Sequence, residues 1–166
     1  MHTRRYSLLY SLALLCVSNL TLALTPWESI HQTIHTYPLA IDSKDFALLS
    51  KVFTSGASAN YTGDLSNLNG LPAIQTALAA SVANVYSQHL LGTTVIDIHS
   101  NGINANSTTY FQASLFGKPY SIGSVVSLYG YYADTIERAT EGWRISKRLL
   151  VFQGPGFVGN LSLVGM

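Results

Sequence analysis

Between Thr25 and Ile41 the apolar residues Trp27, Ile30, Ile34, Tyr37 and Ile41 fall on one stripe of a 3.6-residue period, which predicts an amphipathic helix. Thr25 can cap it, Pro26 suits its first position, and Glu28 completes a capping box. A bend is expected before Pro38, because the residue preceding a proline disfavours helix. Ser43 is placed to cap a second helix running to Phe53, with Phe46, Leu49 and Phe53 turned inward. Ala57 to Thr62 reads as a short strand, and Gly70-Leu71-Pro72 opens an alanine-rich third helix ending near Val85. After His89 the pattern changes. Gly92 to His99 is β-branched, Asn101-Gly102 marks a turn, and Thr108–Phe116 and Ser121–Asp134 are long strands joined around Lys118-Pro119. Glu141-Gly142 turns into a last strand from Trp143 to Phe152, and a Gly-rich tail after Gly154 is expected to be loose. Helices followed by sequential antiparallel strands predict an α+β domain. A mostly antiparallel sheet curved around three N-terminal helices leaves a concave face, a natural pocket for a small apolar ligand.

The first residues depart from this pattern. Arg4 and Arg5 precede an almost unbroken apolar run from Tyr6 to Val17, and Thr21-Leu22-Ala23 supplies small residues at positions −3 and −1 of a cut after Ala23. These are the parts of a secretory signal peptide, expected over residues 1–23. The run is shorter than the ~20 apolar residues of a membrane span and is broken by Ser18 and Asn19. The remaining residues 24–166 fit one domain, residues 24–153, followed by the tail, residues 154–166. The single cysteine, Cys16, leaves with the signal, which excludes disulfides and thiolate metal sites from the mature chain. With net charge +1 and 10% charged residues there is no electrostatic footprint for nucleic acid, and no other segment is long enough to cross a membrane. Three sequons, at Asn60, Asn106 and Asn160, are candidate glycan acceptors in a secreted chain.

The sequence holds no phosphate-binding loop, no His-Glu-x-x-His and no Gly-x-Ser-x-Gly elbow. Glu28, His31 and His35 sit at helical spacings, but Glu28 and His35 lie off the apolar stripe and read better as a solvated face than as a metal site. No metal and no cofactor is expected. Asp42 with His89 is the strongest chemical pair. A carboxylate that holds an imidazole fixes its tautomer and raises its basicity, making a general base near neutral pH. Spacing alone leaves open that Asp42 only caps a helix and His89 only fills the core. Tyr110, Tyr129, Tyr132 and Phe53 are candidate pocket-lining residues, Asp134 is placed to pair with Arg144 or Arg148 across the last hairpin, and Trp143 is expected in the core.

Three segments carry a family resemblance. Ile41-Asp42-Ser43-Lys44-Asp45-Phe46 resembles the Tyr-Asp-Ser-Lys-Asp-Trp of fungal scytalone dehydratases, and Ser87-Gln88-His89-Leu90-Leu91-Gly92 resembles their Thr-Gln-His-Phe-Ile-Gly. Tyr131-Tyr132-Ala133-Asp134 followed by Gly142-Trp143-Arg144-Ile145 and Arg148 is similar to the closing strands of SnoaL-like domains. The similarity runs from about Trp27 to Phe152 and implies an NTF2-like cone. It also implies that Asp42 and His89 form the proton-transfer pair of a water elimination, and that Tyr61, nineteen residues after the aspartate, positions a water on a substrate carbonyl. Ile41 stands where the family has a second tyrosine. The family's second histidine falls near Gly117, and its serine and asparagine partners near Gly130 and Tyr132.

Two functions follow from these readings. The first is a secreted, cofactor-independent dehydratase, cyclase or isomerase acting on a small apolar secondary metabolite, polyketide- or terpenoid-like, with Asp42, His89 and Tyr61 as catalytic residues. The alternative is a secreted binding or carrier domain on the same fold, favoured by the loss of the second histidine. The resemblance also leaves room for a homodimer through the open sheet face.

Overall fold

The computed structural model describes residues 23–164. The expected signal peptide lies almost wholly outside the described residues. Helix α1 spans Pro26–Asp42 and starts on the predicted capping box, with the Thr25 side chain accepting from the Glu28 amide and the Glu28 carboxylate from the Thr25 amide. Ile30, Ile34, Tyr37 and Ile41 are buried, whereas Trp27, placed on the same stripe by its spacing, is half exposed at the first turn. Pro38 is accommodated within α1, which stays helical to Asp42 before Ser43 caps it.

The second predicted helix is only a 3-10 turn, Phe46–Lys51, because Phe53 already belongs to strand β1 (Phe53–Asn60). After a short strand β2 (Leu68–Asn69) comes helix α2 (Leu71–Ser81), so two α-helices and a 3-10 turn stand where three helices are expected. Strand β3 covers Val85–Ile98, β4 Asn104–Gly117, β5 Val125–Ala139 and β6 Gly142–Gly159. The six strands form one curved sheet in the order β2-β1-β6-β5-β4-β3, antiparallel except for the β1–β6 pair. This is the NTF2-like architecture. Among the described residues no helix is long and apolar enough to cross a membrane.

Two boundary differences bear on the site. Strand β3 begins at Val85, so His89 lies within a strand and not in a connection after the third helix. The Gly-rich segment expected to be loose instead continues β6: Phe157 pairs with Leu128 and Gly159 with Val126. The chain reaches that pairing through an outward excursion at residues 153–156, where Gly154 and Gly156 take positive φ angles that disfavour side-chain-bearing residues.

Inward-facing residues alternate along each strand and stack in cross-strand rows. His89, Ala113 and Leu128 make one row, and Thr109, Tyr132 and Leu150 another. Ser107, Asp134 and Arg148 make a third. Helix α1 covers this concave face, and Thr33 ties it down by donating to the Trp143 carbonyl at 2.9 Å. Trp143 is in the core as expected.

Candidate functional site

Between α1, α2 and the concave face lies a cavity of about 660 Å³. Its inner end is built by Tyr37, Tyr61, Tyr132 and His89, and its walls are mostly apolar, with Phe111 and Phe157 among them. Asp42 is the last residue of α1, where the negative end of the helix dipole disfavours a carboxylate. Strand β3 compensates from one face. Ser87 and His89, two residues apart, both point at Asp42. The Asp42 carboxylate accepts from the Ser87 hydroxyl at 2.9 Å and from the His89 amide at 2.8 Å, and its Oδ1 lies 2.7 Å from His89 Nδ1. Burial alone would push the Asp42 carboxyl up. The His89 and Ser87 hydrogen bonds and the imidazole's proximity outweigh it and hold the group below the ordinary carboxylate range. An ionised Asp42 accepts only, so Nδ1 carries a proton, and in the neutral imidazole the lone pair is then on Nε2. The His89 side chain is 8% exposed and lines the cavity.

Tyr61 follows the end of β1 and enters the cavity, while its neighbour Asn60 lines a shallow groove beside Lys147. Three phenols cluster here. Tyr37 stacks with Tyr61 at 6.3 Å and meets Tyr132 edge-on at 5.5 Å and His89 edge-on at 6.1 Å. The Tyr61 hydroxyl is buried with no hydrogen-bond partner within the protein. Behind the phenols lies an ion pair. Arg148 donates to both oxygens of Asp134, at 2.8 and 2.6 Å, and both side chains are fully buried. Of the two arginines the sequence offered, Asp134 therefore takes Arg148. Arg144 instead donates to the Ser50 and Trp143 carbonyls.

The structure brings His89 and Tyr61 to one cavity, Tyr132 with them, and sets Asp42 behind His89, outside the cavity lining. Three expected pocket residues lie elsewhere. Tyr110 is on the convex face, 44% exposed and packed against Tyr131, and Tyr129 pairs with the exposed Gln112 of that face. Phe53 is buried beside Tyr37 and Arg148, behind the cavity lining. Tyr37, Phe111 and Phe157 are among the cavity residues that sequence reasoning missed. Once His89 is known to face inward, pairing with Ala113 makes Phe111 inward and Tyr110 outward, so the signal was strand parity.

Gly117 and Gly130, near which the resemblance puts polar residues of the family, are packed for glycine. A Cβ on Gly130 would run into the Val151 carbonyl and lie 3.1 Å from the Phe111 ring, and one on Gly117 would run into the Ser121 backbone. Glu28, His31 and His35 do not converge. Glu28 serves the helix cap, while Trp27, His31 and His35 stack in series along α1 with ring centroids 5.0 and 4.0 Å apart. Among the described residues no three potential metal-binding side chains come together.

The SnoaL-like domain family model matches residues 23–149. Among solved structures, a protein of Novosphingobium aromaticivorans put forward as an aromatic ring hydroxylase is similar over 85% of this chain and 99% of its own, with TM-score 0.72 and 24% identity. A second protein of that organism, put forward as a scytalone dehydratase, is similar over 81% of this chain and 87% of its own, with TM-score 0.68 and 18% identity. A hexachlorocyclohexane dehydrochlorinase, LinA type 2, is similar over 81% and 88%, with TM-score 0.69 and 13% identity. At these identities the likeness is one of fold. No curated protein matches the chain in sequence.

Proposed function

The chain belongs to the SnoaL-like domain family, and on that footing we propose that its cavity carries out general acid–base chemistry on a small, largely apolar secondary metabolite, polyketide- or terpenoid-like. The observation that carries the proposal is the 2.7 Å contact between Asp42 Oδ1 and His89 Nδ1 at the inner end of an apolar cavity. Asp42 fixes the tautomer and stabilises the imidazolium. Nε2 removes a proton from a carbon next to a carbonyl, and the electron pair moves toward the carbonyl oxygen. Tyr61 donates to that oxygen as its charge develops. In a dehydration the imidazolium then returns its proton to the departing hydroxyl, so water leaves and His89 is restored. In an isomerisation the proton goes to another carbon. The chemistry is supported by solved structures of the same fold whose names are those of a dehydratase and a dehydrochlorinase, both elimination enzymes.

A test needs no knowledge of the natural substrate. A bicyclic aromatic ketone such as 1-tetralone, held with the protein in deuterated buffer, reports base action as exchange of the protons next to its carbonyl. The intact protein is expected to accelerate that exchange, His89→Ala to lose at least ~10²-fold, and Asp42→Asn to lose part of it. Full exchange by a folded His89→Ala variant refutes the proposal.

A second reading, a secreted carrier that binds without turnover, is favoured by the glycine packing at Gly117 and Gly130, which leaves no room for a second polar set. It is distinguished by tetralone binding without exchange. We place either activity outside the cell, on the strength of the signal peptide and of the sequons. The Asn106 and Asn160 side chains are exposed, and Asn60 is half-buried with its carbonyl oxygen accepting from the Thr62 amide. Intact mass before and after glycosidase treatment of the secreted protein tests this. A retained N-terminus, or no change of mass, would contradict it.

A further inference from the structure

Arg148 is not among the residues that line the cavity, yet it is the largest fully buried side chain of the protein. A buried arginine is ordinarily satisfied through all its donors, since an unpaired buried donor costs about 1–3 kcal/mol. Here Asp134 takes Nε and Nη2, and Nη1 is buried with no partner within the protein. The guanidinium lies over two of the cavity's phenols, with its carbon 4.2 Å from the Tyr132 ring centroid and 4.4 Å from that of Tyr37. The other side of Tyr132 is stacked on Phe111, so the ring is held against the cation. Well-packed apolar residues would fill the same volume without the desolvation cost of an ion pair. A cation in this position does something a hydrocarbon cannot: it acts on the rings that face the ligand.

We propose that Arg148 is a positioning residue that acts through Tyr37 and Tyr132 to make the phenol end of the cavity a site for a negatively charged oxygen, and hence that the ligands are compounds with an enolisable carbonyl or an acidic phenol. The inference deepens the function proposed above and rests on it. A cation against the face of a phenol ring draws electron density from it and strengthens the hydroxyl as a donor. Donors of this kind, fixed in a low-dielectric site, stabilise an oxyanion far more than they stabilise the neutral carbonyl. Burial raises the pKa of all three phenols, and Arg148 is an opposing charge for each. The phenols therefore stay protonated and able to donate. The Tyr61 hydroxyl, buried and without a partner within the protein, is the donor nearest to hand. Asp134 keeps the pair neutral overall and fixes the guanidinium through two hydrogen bonds, so the site presents an oriented dipole instead of an unbalanced buried charge.

The test uses 4-nitrophenol, whose visible absorption distinguishes the bound phenolate from the bound phenol. The full-length protein is expected to lower the pKa of the bound probe by at least about one unit, a tenfold change in the ionisation ratio. The double variant Asp134→Leu/Arg148→Met is expected to bind the probe but lose that shift, and Arg148→Lys, which keeps the charge, to retain part of it. His89→Ala is expected to retain it as well. An unchanged shift in the double variant overturns the proposal. So does loss of the shift in His89→Ala, which would assign the charge to the imidazole, and so does a probe that does not bind or binds only as the neutral phenol. If the double variant does not fold, Arg148→Lys and Tyr132→Phe decide: a complete loss of the shift in Arg148→Lys, or an undiminished shift in Tyr132→Phe, counts against it. Tetralone exchange is read separately. Exchange that fails beside a normal probe shift removes the base and leaves the role of Arg148 standing.

Discussion

Two aspartates in this molecule each hold a cationic or basic partner, and the pairs differ in almost everything else. Asp42 and His89 meet at the cavity, with side chains 25% and 8% exposed, while Asp134 and Arg148 are sealed at 0% each. The first pair has a partner that can gain or lose a proton near neutral pH. The second has one whose charge is permanent. Solvent reaches the pair that can move a proton, and is shut out from the pair that can only supply a field. Burial strengthens a field and penalises a change of charge. Each pair therefore sits in the environment its chemistry requires.

The sharpest way to break the comparison is to remove one partner from each pair. Arg148→Met leaves Asp134 charged and buried, and a loss of about 3–5 kcal/mol in denaturant unfolding is expected. Replacing both residues, as in Asp134→Leu/Arg148→Met, is expected to recover most of that loss, because paired apolar residues carry no desolvation cost. Asp42→Asn, at a partly solvated site, is expected to cost clearly less than Arg148→Met. Equal losses at the two sites would dissolve the distinction.

The glycines sharpen it from another side. If Gly130 is packed against Val151 and Phe111 as closely as the geometry indicates, Gly130→Ala forces strand β5 or the Phe111 ring to move. The expected cost is about 1–3 kcal/mol by the same unfolding measurement, with Gly130→Ser no better. A neutral Gly130→Ser would mean that a polar side chain fits after all and that the second polar set could be restored. Tyr61→Phe is the opposite case. It removes a buried hydroxyl that has no partner within the protein, and is expected to leave stability unchanged or raise it by up to about 1 kcal/mol. A group whose loss stabilises the fold but weakens tetralone exchange is held in place by function.

The sequence made one pair visible and hid the machinery behind the other. Asp42 and His89 stand in short segments resembling a known family, and Asp134 with Arg148 follows from hairpin register, although the sequence could not choose between Arg144 and Arg148. Cavity parity was not legible. Alternation along a strand says which residues share a face, but not which face is inside, and irregular pairing between Leu91 and Thr94 and between Leu128 and Gly130 resets the count. Hence Tyr110 was expected inside and Phe111 was overlooked. The segment around Phe157 was read as a loose tail because local propensity is all that a Gly-rich stretch displays, whereas its pairing with β5 is set by residues some thirty positions away. The start of β3 was misjudged for a related reason. Ser87 and His89 are poor strand formers, held in the strand by β4 on one side and bonded to Asp42 through their side chains.

The smallest expected effect separates acid sensitivity at the cavity from acid sensitivity on α1. His35 Nε2 is buried without a partner, and burial, aided by the adjacent His31, lowers the pKa of His35 below its ordinary value of 6.5. The unfolded chain therefore binds this proton more readily than the folded one. The stability His35 confers is complete above about pH 6.5 and declines as the pH falls through that value toward the lower folded pKa. Asp42 has the opposite chemistry but the same acid sensitivity. Its folded pKa is also depressed, below the ordinary 3.8, so its contribution is present above that value and is lost only as the pH falls through the folded pKa. Thermal unfolding followed from pH 8 to pH 3 is thus expected to fall in two stages, a shallow one that begins as the pH drops through 6.5 and a later one below 3.8. His35→Gln removes the titrating imidazole and is expected to flatten the first stage alone, and Asp42→Asn to flatten the second. If His35→Gln leaves the first stage in place, that stage does not belong to His35, and burial of its imidazole on α1 costs the fold nothing in acid.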